Sequence, residues 1–156
     1  MVRGINLISL VWTDDGQSSL PGDYRIYNKV HDGLDKNDHF GEMLEMAHAR
    51  GFTPSLVAFD GWYSSLDNLK RIRKYGWEWL TRLKSNRKVS RTAVQTQSLS
   101  DIDIPPSGCV LHLTGYAFVK VFRTVDTDGN AERLRNFQLA HDRPATSGGC
   151  SECLGN

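Results

Sequence analysis

The stretch Leu56-Val57-Ala58-Phe59-Asp60-Gly61-Trp62-Tyr63-Ser64-Ser65-Leu66-Asp67-Asn68-Leu69-Lys70-Arg71-Ile72 decides how this 156-residue chain is read. Leu56–Phe59 is a short continuous apolar run, preceded by Pro54 and ended by Asp60. Such runs between helical patterns have the character of buried central strands in parallel sheets. After an aromatic turn, Ser64 or Ser65 caps a helix, Asp67 stands at the capping-box position, and Leu66, Leu69 and Ile72 face inward. Trp77 to Lys84 then alternates as another strand. The pattern predicts an α/β protein in which Asp60 sits at the C-terminal end of a strand, where catalytic groups of α/β sheets gather.

Outward from this block, Gly4 to Trp12 reads as a largely buried strand and Thr13-Asp14-Asp15-Gly16 as a turn. Ser18 to Gly22 extends the loop, Asp23 to Asn28 is the return strand, and Val30 to Lys36 is a polar connection. Asn37 or Asp38 caps a helix to about Arg50, with Phe40, Met43, Leu44 and Ala47 on one face and Gly51 as the stop. Downstream, Ser85 to Ser107 is polar and loop-like. Two β runs follow, Cys109 to Leu113 and Ala117 to Thr124, with a hairpin turn at Asp126–Asn130 and an answering strand from Arg133 to Ala140. From His141 the apolar pattern stops, so residues 141–156 read as a disordered tail.

The length suits one domain of ordinary size, and 39% apolar with 10% aromatic residues argues against wholesale disorder. No apolar run approaches the roughly 20 residues that span a bilayer, and the N-terminus lacks a secretory pattern, so a soluble intracellular chain is expected. The net charge of +1 hides an asymmetry. Lys70 to Arg91 holds nine basic residues against one acid, Glu78, a local net of +8 that leaves −7 for the rest. Lys70, Arg71, Arg73, Lys74, Arg82, Lys84, Arg87 and Lys88 are therefore candidate contacts to a polyanion, with a solvated basic face as the plainer alternative. Three cysteines, Cys109, Cys150 and Cys153, make no disulfide framework, and the lone C-x-x-C lacks the further ligands of a zinc site.

A carboxylate at a strand end beside a positive surface is what metal-assisted phosphoryl transfer needs, which singles out Asp60. By residue type alone the plainer reading, a turn or helix-capping residue, outweighs the catalytic one. Asp14 and Asp15 are ordinary turn chemistry. The histidines at 31, 39, 48, 112 and 141 show no metal-ligand spacing.

Phe59-Asp60-Gly61-Trp62-Tyr63-Ser64-Ser65-Leu66-Asp67-Asn68-Leu69 resembles the block around the second catalytic Asp of DDE-type transposases of bacterial insertion sequences, in the group whose catalytic domain carries a β-rich insertion. Gly4–Leu7 through Trp12–Asp14, Asp23–Tyr27, Trp79–Asn86, Gly115-Tyr116 and Val119–Phe122 resemble further blocks of that family in collinear order. The resemblance implies an RNase H-like fold and DNA strand cleavage and transfer by three carboxylates on two divalent ions, Mg²⁺ or Mn²⁺. Asp60 corresponds to the second carboxylate and would be a metal ligand. Trp62 and Tyr63 belong to the same motif, as packing residues or DNA contacts.

The sequence departs from the family pattern at both flanks. The first Asp belongs to a strand preceding the one at Gly4, and the third carboxylate to a helix Y-x-x-R-x-x-x-E-x-x-x-x-x-x-K. None of the five tyrosines has Arg three residues later, and the last lysine is Lys120. The expectation is a truncated or frameshifted fragment holding one carboxylate of three: a partial RNase H-like core over 1–84 without its central first strand, a β-rich insertion over 85–140 and a divergent tail over 141–156. Such a chain would be inactive alone, would fold weakly or associate with itself or with full-length transposase, and would meet DNA at the bacterial nucleoid in the cytoplasm, with no membrane partner. The alternatives are a DNA-binding or regulatory remnant acting on an intact transposase, and a decayed reading frame.

Overall fold

The computed structural model describes residues 4–14, 18–92 and 94–123 and the backbone of 137–140. They form a mixed α/β structure with several sheets and few helices, and the chain divides into two compact units, Met1–Thr53 and Pro54–Asn156. No helix among the described residues is long and apolar enough to cross a membrane.

The first unit is built on an antiparallel hairpin, β1 (Leu7–Asp14) and β2 (Ser18–Ile26), in register from Leu7 opposite Ile26 to Asp14 opposite Ser18. β2 thus includes Ser18–Gly22, expected as loop. Pro21 and Gly22 obscure a strand in sequence, but the register shifts beside them, between Leu10 and Val11. A bulge of this kind accommodates residues that a regular ladder rejects. At Gly22 an added Cβ would lie 2.6 Å from Leu10 Cδ2.

A short helix, α1 (Lys29–Asp32), occupies the expected polar connection, and α2 (Lys36–Ala49) follows. Ile8 of β1 and Met43, Leu44 and Ala47 of α2 form the buried core here, with His39 buried beside them and Phe40 only half-buried. The rings of Trp12 and Phe52 lie 5.1 Å apart, and Arg50 donates to the Gly22 carbonyl at 2.9 Å. The cap of α2 is Asp35, not Asn37 or Asp38. Its carboxylate accepts from the Asn37 and Asp38 N–H groups, and the Asp38 carboxylate accepts from the Asp35 N–H. Asp35 needs Asp38 three residues on for this reciprocal box, so the helix begins earlier than its apolar face.

In the second unit, β3 (Leu56–Phe59) runs parallel to β4 (Glu78–Arg82), joined by α3 (Leu66–Lys74). β9 (Phe137–Ala140) adds antiparallel to β4, with Trp79 opposite Ala140, giving the order β3-β4-β9. β3 is not the buried strand that its apolar run suggests. Among the described residues it pairs with β4 alone, and none of its residues is buried, Leu56 being 39% exposed. The alternation expected of β4 is present, with Trp79, Thr81 and the following Leu83 buried.

The segment 85–107, expected as loop, contains β5 (Lys88–Ser90), β6 (Gln97–Ser98) and a 3₁₀ turn at Leu99–Asp101. With β7 (Cys109–Leu113) and β8 (Phe118–Val121) these strands form an antiparallel sheet of order β6-β5-β7-β8. Val89, Leu99, Ile102 and Ile104 are buried. They stand singly among polar residues, so no periodicity reveals them, and the strands are too short to repeat a pattern. The expected turn at 126–130, residues 133–136 of the answering strand, the tail 141–156, and Cys150 and Cys153 lie outside the described residues.

The α2 cap yields a pH-dependent prediction. The Asp38 backbone N–H, first among the groups facing it, holds the Asp35 carboxyl below its ordinary value. A carboxyl lowered on folding stabilises the native state above its unfolded value of about 3.9 and loses that contribution as pH falls through the folded value. Asp35→Ala should lower the unfolding free energy by about 1 kcal/mol near neutral pH. In urea denaturation the gap from wild type should begin to narrow as the pH falls below about 4 and shrink further through the lower folded value.

Candidate active site

Asp60 follows β3 directly, is exposed, and caps a 3₁₀ turn formed by Gly61–Tyr63. One carboxylate oxygen accepts from the Trp62 N–H at 3.0 Å, and the Asp60 carbonyl accepts from the Tyr63 N–H at 3.0 Å. Both readings of this residue therefore meet in one side chain: it is a cap, and it presents a carboxylate at the end of a strand. Burial first, and then the negative charge of Asp60, push the Tyr63 phenol above its ordinary value.

The turn is held from several directions. The Ser64 hydroxyl donates to the Gly61 carbonyl at 2.7 Å, and the buried Asn68 side chain donates to the Tyr63 carbonyl at 3.0 Å. Ser65, not Ser64, caps α3 by accepting from the Asn68 N–H, so Asp67 lies in the first turn and Asn68 takes the third helical position. From a separate element, the Arg87 guanidinium donates to the Ser64 carbonyl at 3.0 Å. Gly61 lies against the end of β4, where an added Cβ would stand 2.6 Å from the Arg82 carbonyl oxygen.

This arrangement sorts the basic residues. Arg82 and Arg87, both half-buried, border the Asp60 turn, Arg82 through its backbone and Arg87 through its bond to Ser64. Burial lowers the Arg87 pKa from its ordinary value. Lys84 is exposed after β4, and Lys88, exposed at the start of β5, donates to the Ser98 hydroxyl at 3.1 Å. Lys70, Arg73 and Lys74 are exposed on α3 and Arg71 is half-buried. At 1.5 Å rise per residue, Lys74 lies roughly 12 Å along the helix from Leu66, so the last-turn cations Arg71, Arg73 and Lys74 are set apart from the turn. There they complement the negative end of the helix dipole. Arg73 also lies over the Tyr116 ring, 5.5 Å from its centroid.

The support from Arg87, Asn68 and the Ser64 hydroxyl was not legible as such. Arg87 reads only as one cation of the basic run, because its partner lies 23 residues away. Asn68 had a signal, its place within the same block. Asp14 is not in the expected turn but is the last residue of β1, paired with Ser18 of β2, and Asp15 lies outside the described residues. Among the described residues no group of three or more His, Cys, Asp or Glu side chains could hold a metal ion.

Gly61 gives the turn a direct test. A Cβ 2.6 Å from backbone oxygen cannot be relieved by rotating a side chain, so Gly61→Ala should cost about 1–3 kcal/mol in denaturant unfolding. Gly51→Ala at a helix stop has nothing within 4 Å of its Cβ, yet its φ of +78° makes it a control for backbone strain without crowding.

Comparison with curated proteins and with solved structures finds no match. A family model described as Transposase DDE domain matches residues 3–141, nearly nine-tenths of the chain, and so includes the Asp60 turn, α3 and both flanking strands. The chain belongs to the transposase DDE domain family.

Proposed function

We propose that this chain is a piece of a DDE transposase that supplies the second catalytic carboxylate, Asp60, and part of the DNA-binding surface, in a partial RNase H-like arrangement. The observation that carries this reading is a carboxylate on a braced turn between a parallel strand and a helix ending in cations, within a chain of this family. In the proposed division, 1–84 is the partial core without its first strand, 85–140 the β-rich insertion and 141–156 a divergent tail.

DNA is the proposed partner, met by Lys70, Arg71, Arg73, Lys74, Arg82, Lys84, Arg87 and Lys88. For Arg87 a bracing role supports the reading as much as a phosphate contact would. The Mg²⁺ or Mn²⁺ of the family reaction needs several oxygen donors, and Asp60 is a single carboxylate with one oxygen already accepting from Trp62. The described residues do not fit a complete metal site, and we derive no catalytic step through one. Strand cleavage by the chain alone is therefore not expected. A second reading, a DNA-binding or regulatory remnant acting on an intact transposase, is favoured by the separation of the last-turn cations of α3 from Asp60.

Two measurements test the proposal. Duplex binding should weaken steeply with salt, and Lys70→Gln, Lys74→Gln and Lys84→Gln should each reduce the log–log slope by roughly one if that lysine meets a phosphate. Affinity indifferent to salt would overturn the DNA reading. With Mg²⁺ or Mn²⁺ the purified chain should leave supercoiled DNA intact. Metal-dependent nicking that disappears in Asp60→Ala would instead show a competent enzyme.

A further inference from the structure

The hairpin of the first unit has two unlike faces. Ile8, Leu10 and Trp12 of β1 are buried or half-buried on the side where α2 packs, and Arg25 of β2 lies on that side too, reaching Glu42 of α2 at 3.3 Å. The alternate positions form the other face. There Leu7 stands opposite Ile26, Ser9 opposite Tyr24, Val11 opposite Pro21 and Thr13 opposite Ser19, and all eight are exposed. The register shift beside Gly22 keeps both ends of β2 on this face. Leu7 is 55%, Val11 54%, Tyr24 67% and Ile26 58% exposed, and Ile5, two residues before Leu7, is 79% exposed. None of the eight positions carries a charge, although 24% of the chain is charged. An antiparallel sheet that keeps one face in water ordinarily makes that face polar, and this one is not.

We propose that this uncharged face is an interface between two copies of the chain, packed sheet on sheet about a two-fold axis. The inference is independent of the DNA reading. Exposure at these levels leaves on the order of 100 Å² of each large side chain in water. With Ser9, Thr13, Ser19 and Pro21 between them, the face offers on the order of 700–800 Å², about what each partner contributes to a standard stable interface. The absence of charge favours a copy as occupant. Like faces do not repel one another, and nothing on the surface selects a partner of opposite sign. The face also matches itself. A two-fold axis lying along the strands sets Leu7 over the partner's Ile26 and Ser9 over the partner's Tyr24, so the apolar end meets its like and Thr13 and Ser19 meet theirs. Sheets packed in this aligned way keep their strands within about 30° and fill the space between them with side chains. Such a contact is closed, and the assembly stops at two.

The test is sedimentation velocity of the full chain from about 1 to 100 µM, a range that brackets the weak end of interfaces of this size. Wild type is compared with Tyr24→Lys, Ile26→Lys and the milder Ile26→Thr. The control is Val30→Lys on α1, at a side chain 99% exposed. Circular dichroism and urea melts verify that each variant folds, and Ile26→Thr, which keeps the β-branch, reads the interface should a lysine variant fail to fold. A dimer is expected for wild type and for Val30→Lys. Each substitution enters the interface twice, so either lysine variant should weaken dimerisation by about a hundredfold or more, and Ile26→Thr by less. Raised salt should leave the dimer intact, since apolar burial holds it. A wild-type monomer throughout the range would overturn the inference. So would a dimer that survives Tyr24→Lys and Ile26→Lys, equal weakening by Val30→Lys, or growth beyond two copies, which marks open-ended association through strand edges.

Discussion

The second unit depends on the burial of Trp79. An indole taken out of water needs a partner for its N–H, and β4 places Trp79 where the Tyr116 hydroxyl accepts at 3.0 Å, the two rings meeting edge to face with centroids 5.8 Å apart. That contact joins a strand of the parallel pair to the connection between β7 and β8, 37 residues later. Arg73 from α3 closes on the other ring of the pair, and Leu66 packs 3.0 Å from where a Cβ on Gly115 would stand. The strand–helix–strand element and the antiparallel sheet are therefore built around shared side chains.

The same strand determines where Asp60 goes. β4 is the middle strand of its sheet, and parallel pairing sets Phe59 opposite Thr81, so the chain leaving β3 emerges at the end of β4. The close approach there is possible because residue 61 has no Cβ to meet the Arg82 carbonyl. Arg87, arriving from the loop before β5, then caps the Ser64 carbonyl. The candidate carboxylate rests on backbone geometry and on a cation from outside its own motif, which links its position to the packing of the second sheet.

Much of this was readable along the chain wherever an element carried its own signal. α3 declares itself through Ser65 and through Leu69 and Ile72 on one face, and β4 through strict alternation from Trp77 to Leu83. α2 was legible as a helix, but its true cap was not. Asp35 lies before the apolar face starts, and only its exchange of hydrogen bonds with Asp38 makes it the cap of the helix. β5 and β6 were hidden because two or three residues cannot display a period, and their stability comes from pairing Val89 with Gln97 on one side and Leu113 on the other. Of the candidate site, Asp60 and the basic run were visible as residue types. The clamps that fix the turn were not, since they join residues far apart in sequence.

The amino-acid sequence by itself determined the family of the chain, the α/β order of its central block, the place of Asp60 at a strand end and the concentration of positive charge between Lys70 and Arg91. These are local properties, written in composition, spacing and motif. Only the tertiary structure decided that the apolar run Leu56–Phe59 pairs with β4 alone among the described residues, that Arg87 braces the turn, and that Trp62 is exposed while Trp77 and Trp79 are buried. The physical reason is that burial and pairing belong to neighbours brought together by folding. A run of apolar residues states a preference for being covered, and whether it is covered depends on what the rest of the fold sets beside it.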